Sequence, residues 1–387
     1  MSNPAPFNPP VRSLMGPGPS NCAPSVLQSL SKPMLGHLDP EFVRMMEEIK
    51  SMQRAVMQTK NLMTFPVSGT GSAGMEFCLV NLLEPGDEVI IGVNGVFGGR
   101  MCDLAERCGA KVTKVSSDWG RIIEPQQIAD ALKQTPKPKL VAVVHAETST
   151  GALTPVEEVS KLVREAGALF LIDTVTSLAG CPVKIDEWGV DAVYSGTQKC
   201  LSCPPGLAPV SLSERALKVA TSRRTKVQSW YLDVNLLAGY WGEERVYHHT
   251  APISMNYALH EALRLVLEEG LEARFARHRE NHLALKAALD VMKLKIMSQE
   301  GHQLWQLNAV QVPEGVDEAG VRKQLLTQYG IEVGAGLGPM KGKIWRVGLM
   351  GATSTRDNVV KFVQAFGDIL NAGGYTCDTK AAVAAAK

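Results

Sequence analysis

The stretch Phe65–Phe77, FPVSGTGSAGMEF, ends an apolar run in a glycine turn and then resumes as a helical pattern. Gly69, Gly71 and Gly74 stand in the G-x-G-x-x-G spacing of a strand that turns tightly into a helix whose first N–H groups face an anion. A dinucleotide site also needs an acid about twenty positions on, at the end of the next strand, to hold the ribose. Here Asp87 and Glu88 precede the strand VIIGV, and its end carries Asn94-Gly95. An NAD-dependent dehydrogenase therefore lacks half of its signature. A simpler phosphate turn survives, with Thr70 and Ser72 adding hydroxyl donors, beside the plainer alternative of a packing turn.

Outward from this turn, between about residues 60 and 210, short apolar runs alternate with helical patterns. LMTFPV precedes AGMEFCLVNLL, EVIIGV precedes MCDLAERC, KVTKV precedes PQQIADALKQ, LVAVVHA precedes PVEEVSKLVREAG, and LFLID is followed by AVYSG. Such alternation predicts an α/β fold with a mostly parallel sheet between helices, its functional residues just past the carboxyl ends of the strands. The proline-rich start, NPAPFNPPVRSLMGPGPSN, cannot be helical and reads as an extended arm that drapes over the surface or reaches another subunit. Beyond about residue 250 two long helices, SMNYALHEALRLVLEEG and LEARFARHRENHLALKAALDVM, lead into a strand-helix-strand region and a last helix near 355–371. The expected organisation is an arm over 1–20, a large domain over 21–269 and a smaller α+β domain over 270–387. The alanine-rich tail reads as low complexity.

At 387 residues the chain is long enough for two cores and a buried site. Its charged residues, 20% of the whole, nearly cancel to +1, which leaves no field to hold nucleic acid or an anionic membrane. Small molecules are the expected partners. Cys200 and Cys203 have a metal-like spacing, but the adjacent His248-His249 is not a matching second pair, so no metal is expected. No charged, apolar leader stands at the start, and no apolar run approaches the roughly 18 residues of a membrane span. A reduced, cytoplasmic protein is the expectation.

Two further residues sit at strand ends. LFLIDTVTSLAG leaves Asp173 at the end of an apolar strand, where a carboxylate must find a cation or donors. VDAVYSGTQKCLSCPPG places Lys199 just past another apolar segment. Singly, Asp173 suits a helix cap as well as a ligand, and Lys199 suits a solvated surface. Together with a phosphate turn they form the set that pyridoxal 5'-phosphate requires: an amine for its aldehyde, a carboxylate for its ring nitrogen and donors for its phosphate. Its planar ring also wants an aromatic neighbour. Phe97, in VNGVFGGR after the strand EVIIGV, stands at a suitable place, although core packing explains it equally well.

The segments LMGPGPSN, SGTGSAGMEFCLVNLLEPGD, VNGVFGGR, HAETSTG, LIDTVTSLAG, YSGTQKCLSCPPG, RRTK, VYHHT, EEGLEARFARHR and GKIWRVGLMG resemble, in this order, the class V aminotransferases of fold type I, in particular their alanine-glyoxylate and serine-glyoxylate branch. The resemblance runs from about residue 14 to 371. It implies Lys199 as the lysine that condenses with the cofactor and Asp173 as the partner of the pyridine nitrogen. It further implies Phe97 as the stacking ring, Thr70, Gly71 and Ser72 as the phosphate cup with Gln198 nearby, and Thr148 near the ring hydroxyl or the substrate carboxylate. Tyr247 and Thr250 would serve the neighbouring subunit of a homodimer with shared active sites. Two positions depart from the branch, which has tryptophan at Phe97 and serine at Thr148; both changes keep the chemistry and bear on the substrate.

Arg346, in KGKIWRVGLMG, ends an apolar strand at the family's carboxylate-binding place, although a strand arginine alone would suit a surface ion pair. Gly18, between Pro17 and Pro19, would wall a narrow side-chain pocket. A cramped pocket without a second arginine implies a small donor, alanine or serine, and a 2-oxo acid acceptor, glyoxylate or pyruvate. A kynurenine-type amine, ureidoglycine and pyridoxamine are the alternatives within the same fold. A cysteine desulfurase is not among them, because 300–345 contains no cysteine.

Overall fold

The structure, a computed structural model, describes residues 4–135, 137–242 and 244–387. LVAVV and LFLID, the strands Leu140–Val144 and Leu169–Asp173, are apolar almost throughout and buried at every position. Strands of that composition are stable only when helices cover both faces. They lie at the centre of a seven-stranded sheet ordered Met63–Ser68, Leu207–Leu212, Ala192–Tyr194, Leu169–Asp173, Leu140–Val144, Glu88–Val93, Lys111–Ser116. From Ala192–Tyr194 to Lys111–Ser116 all neighbours are parallel, as the alternation requires. Leu207–Leu212 is antiparallel to both of its neighbours, and the sequence pattern did not single it out. Its Pro209 faces Pro66 across the ladder, and proline in an inner strand disguises the strand.

Side chains alternate between two apolar layers, as the two-residue period of a strand demands. Val89 and Ile91 join one cluster with Phe65, Phe77 and Tyr194, whereas Ile90 joins the other with Val141, Phe170 and Ile172. A third cluster gathers Met15, Trp345, Phe362 and Phe366 with other residues from Ala284 onward. It covers the second sheet, Leu307–Gln311, Ile344–Gly348 and Gly334–Ala335. Two long helices, Ile253–Glu269 and Leu271–Val291, connect these regions through Gly270.

The ends differ from the sequence pattern in one respect. Helix Arg356–Ala372 is not the last element: the alanine-rich tail forms the helix Thr379–Ala386, whose start is capped by Asp378 and whose Ala382 and Ala386 are buried in the third core. Alanine is the best helix former, and its small size lets this helix approach closely. The arm drapes rather than projects over residues 13–20. Ser13–Leu14 pairs in parallel with Ile331–Glu332, and Ser20 N donates to Gln198 O at 2.9 Å.

Candidate active site

Adjacent strands end together. Asp173 and Tyr194 are the last residues of their strands and stand opposite one another in register. The Tyr194 hydroxyl donates to Asp173 Oδ2 at 2.6 Å, and Val175 N donates to Oδ1 at 2.8 Å. A hydrogen bond to a charged acceptor contributes about 1.5–3 kcal/mol, which offsets part of the cost of burying the acid. Burial still pushes Asp173 up to about 6, while the Tyr194 hydroxyl, Val175 N and the Lys199 charge hold it down. Asp173 therefore takes the cap-like bond to Val175 and keeps a partly uncompensated negative charge.

Lys199 is 8% exposed, and burial together with the Arg346 charge brings its amine down to about 8. Its Nζ donates to the Pro17 carbonyl of the arm. Gly18, at φ 100°, lies directly against this side chain: a Cβ there would come within 2.6 Å of Lys199 Nζ. Ser20 Oγ donates to the Lys199 carbonyl at 2.7 Å. The arm thus holds the lysine from both ends, and only glycine fits between them.

The glycine turn opens the helix Gly71–Leu82, and Thr70, its N-cap residue, makes no side-chain cap. The first N–H groups of this helix, with its positive dipole end, face a cavity of about 160 Å³. Thr70, Gly71, Ser72, Phe97, Asp173, Gln198 and Lys199 line it together, as the sequence implied. Gln198 Oε1 is buried there without a hydrogen-bond partner among the described residues. An aldehyde-bearing, phosphorylated pyridine suits this donor set: an uncapped helix end, a desolvated amine and a buried acid lining one cavity. Wider grooves of about 490 Å³ exist, one of them at the opposite ends of the strands around Lys111 and Lys139, but its charged residues are not buried.

Other sequence candidates lie apart from the cavity lining. Thr148 is buried, and its hydroxyl bonds to that of Thr176 rather than facing the cavity. Its carbonyl accepts from Arg346 Nη1 at 3.4 Å. Arg346 is 7% exposed, donates through Nε to Ala335 O at 2.7 Å and forms no ion pair among the described residues. Burial brings it down to about 10, against the pull of Glu147. Tyr247 and Thr250 are exposed and outside the cavity. Their segment is tied to the strand before the glycine turn by His249 Nε2, 2.8 Å from Ser68 Oγ.

Sequence patterns missed four groups. Tyr194 was visible only as the end of AVYSG, and the register joins it to Asp173. Arg100, one turn after Phe97, lies with its guanidinium 5.1 Å from that ring and donates to Ser72 Oγ at 3.2 Å. Met75 and Val175 complete the lining.

A mostly parallel sheet that gathers an acid, a desolvated lysine and a glycine turn at its strand ends has the architecture of the fold type I enzymes. Within that class the chain belongs to the class-V aminotransferases, whose family description, Aminotransferase class-V, matches residues 18–359. It is similar to the crystal structure of an alanine-glyoxylate aminotransferase from Nostoc sp., with TM-score 0.93 and 49% identity over 95% of this chain and 97% of that one. It is also similar to the ureidoglycine-glyoxylate aminotransferase of Bacillus subtilis, with TM-score 0.96 and 40% identity over 98% of each chain. The alanine-glyoxylate aminotransferase of Callithrix jacchus is 40% identical over 94% of this chain and 89% of its own length. The protein is an aminotransferase, and its family depends on pyridoxal phosphate.

Proposed function

We propose that this enzyme holds pyridoxal phosphate on Lys199 and moves the amino group of alanine or serine to glyoxylate or pyruvate in two half-reactions. The observation that carries the proposal is the convergence of Lys199, Asp173 and the uncapped glycine turn on one cavity, with Arg346 buried nearby and free of carboxylate partners among the described residues. Pyridoxal phosphate supplies an aldehyde that takes up amines and a ring that accepts the electron pair left when Cα loses its proton. The chain supplies the rest. Thr70, Gly71, Ser72 and Gln198 hold the phosphate, with Arg100 beside them, and Phe97 covers one face of the ring. Asp173, oriented by Tyr194, keeps the ring nitrogen protonated. Lys199, its amine brought down to about 8, would hold the cofactor's aldehyde and serve as the base for the Cα proton. Arg346 receives the substrate carboxylate, with Thr148 at its side and Gly18 walling the side-chain pocket.

Tyr247 and Thr250 reach the phosphate of a second copy in this proposal. Exposed Trp230, Tyr231, Val246 and Tyr247 suit burial against such a copy. The same proposal divides the chain at Gly270, so that Arg346 approaches from the small domain, and places the enzyme in the reducing cytoplasm, consistent with eight unpaired cysteines.

Ureidoglycine is a second donor reading, favoured by the likeness to the Bacillus subtilis enzyme. One titration tests both. The purified holoprotein is mixed with alanine, serine, ureidoglycine, glutamate or aspartate without acceptor, and the cofactor's visible absorbance and the keto product are followed. Alanine or serine should bleach the band and yield one equivalent of keto acid per site, with glyoxylate restoring the colour. Bleaching by ureidoglycine alone moves the assignment to the second reading, and a preference for glutamate or aspartate overturns the small-donor proposal.

A further inference from the structure

The helix Val96–Arg107 begins without a cap of its own. Its N-cap residue, Gly95, has no side chain, and its first turn holds no acid. First-turn N–H groups have no partner within a helix and must be met from outside. They are met by a hairpin some fifty residues further along the chain. Ser149 Oγ accepts from Val96 N at 3.1 Å, and Glu147 Oε2 accepts from Phe97 N at 3.2 Å. The other carboxylate oxygen of Glu147 accepts from Ser149 N at 3.1 Å and from Ser149 Oγ at 2.6 Å.

Sterics confirm that this junction is tightly fitted. A Cβ on Gly95 would lie 2.3 Å from Ser149 Oγ and 2.4 Å from Glu147 Cδ, so the two side chains occupy the room that any other residue would need. Glu147 is wholly buried and forms no ion pair among the described residues. A carboxyl group in such a place is costly unless donors hold it; here Ser149 supplies two of them and Phe97 N, at the positive end of the helix, the third. The hairpin itself is fixed: Glu147 pairs with Ala152, and the neighbouring Thr148 carbonyl accepts from Arg346.

We infer that Glu147 is a positioning residue: through its carboxylate, with Ser149 as the second anchor, it locks the first turn of Val96–Arg107 and so fixes the Phe97 ring in the cavity. The inference rests on the proposed stacking of Phe97 on the cofactor. It assigns Glu147 no contact with substrate or cofactor.

The test uses holoprotein and apoprotein of Glu147→Ala, Glu147→Gln, Ser149→Ala and Phe97→Leu, measuring the dissociation constant for pyridoxal phosphate, the visible circular dichroism of the bound cofactor and the apoprotein melting curve. Loss of a cap predicts a 3- to 30-fold weaker cofactor affinity in Glu147→Ala, roughly the range of capping effects, together with a reduced visible dichroism. Glu147→Gln, which keeps an acceptor oxygen, should recover most of both. Ser149→Ala should move both in the same direction by less, and it carries the test if Glu147→Ala does not fold. In a Phe97→Leu background, Glu147→Ala should add almost nothing, because its effect passes through the ring. Wild-type affinity and dichroism in Glu147→Ala, or in Ser149→Ala where that variant carries the test, overturn the inference. So does a loss of equal size in the Phe97→Leu background. Phe97→Leu separates the two levels: if it changes nothing, the stacking itself falls and the inference with it; if it lowers both readouts while Glu147→Ala does not, only the inference falls.

Discussion

Arg274 and Arg346 are both buried, in different parts of the molecule, and they dispose of their donors differently. Arg274, in the first turn of Leu271–Val291, donates to the carbonyls of Ala179 and Cys200 and pairs with Glu269. Arg346, on the second sheet, meets two carbonyls and no carboxylate among the described residues. Burial lowers the pKa of both, and for Arg274 the Glu269 carboxylate counters it at close range. A guanidinium has five donors in a rigid fork. The fork of Arg274 is filled by its own chain, whereas Arg346 keeps open donors, which in the proposed function receive the substrate carboxylate.

Arg346→Gln should therefore cause the largest change, a fall in kcat/KM for the amino acid of about 10²–10³, with a melting temperature that stays level or rises. A melting temperature that drops as far as it does for Arg274→Gln would erase the contrast. Arg274→Gln should destabilise the protein by about 2–4 kcal/mol in denaturant titrations, because two carbonyls lose donors and Glu269 keeps only Arg277, while KM is unchanged. A large rise in KM would make Arg274 part of the substrate site.

A subtler contrast is electrostatic. The Arg346 charge is among the causes that bring Lys199 down to about 8. Removing it should raise the lysine's pKa, so the pH profile for cofactor capture by Arg346→Gln apoprotein should move to the alkaline side, with Arg274→Gln unmoved. The sign also appears in stability. Folded Lys199 loses its proton near 8 and the unfolded lysine near 10.5, so across that window the unfolded chain binds more protons and the lysine's contribution to stability rises with pH. Melting temperatures of apoprotein and Lys199→Met, compared between pH 7.5 and 9.5, should converge toward the alkaline end. The smallest effect is expected at Arg44, exposed on the helix Pro40–Met57 and paired with Glu41 and Glu48: Arg44→Ala should leave both stability and kinetics unchanged within error.

Much of this is legible in the sequence. LVAVV and LFLID could hardly be anything but buried parallel strands, and PQQIADALKQ forms the helix Pro125–Gln134 that its proline start and apolar period announce. Asp173 and Lys199 were legible because α/β sheets place chemistry just past strand ends. What escaped depends on neighbours distant in sequence. Leu207–Leu212 is a strand because the sheet has room for it, despite Pro209. Glu147 sits in HAETSTG like any polar turn residue, and its anchoring contact with Phe97 exists only after folding. Thr148, implied near the ring or the substrate carboxylate, turns its hydroxyl to Thr176, a choice fixed by tertiary packing.

The arm has a consequence for biosynthesis. Residues 13–20 are synthesised some three hundred residues ahead of their partner, and Ser13–Leu14 can pair only when Ile331–Glu332 has been made. Pro17 and Ser20, which grip Lys199, depend on that seat. The large sheet can assemble earlier from its own nearby segments, whereas this closure joins distant parts of the chain and carries the greater entropic cost. A nascent chain must thus extend past residue 332 before Lys199 is held at both ends, so this lysine is seated long after the strand that precedes it has been made.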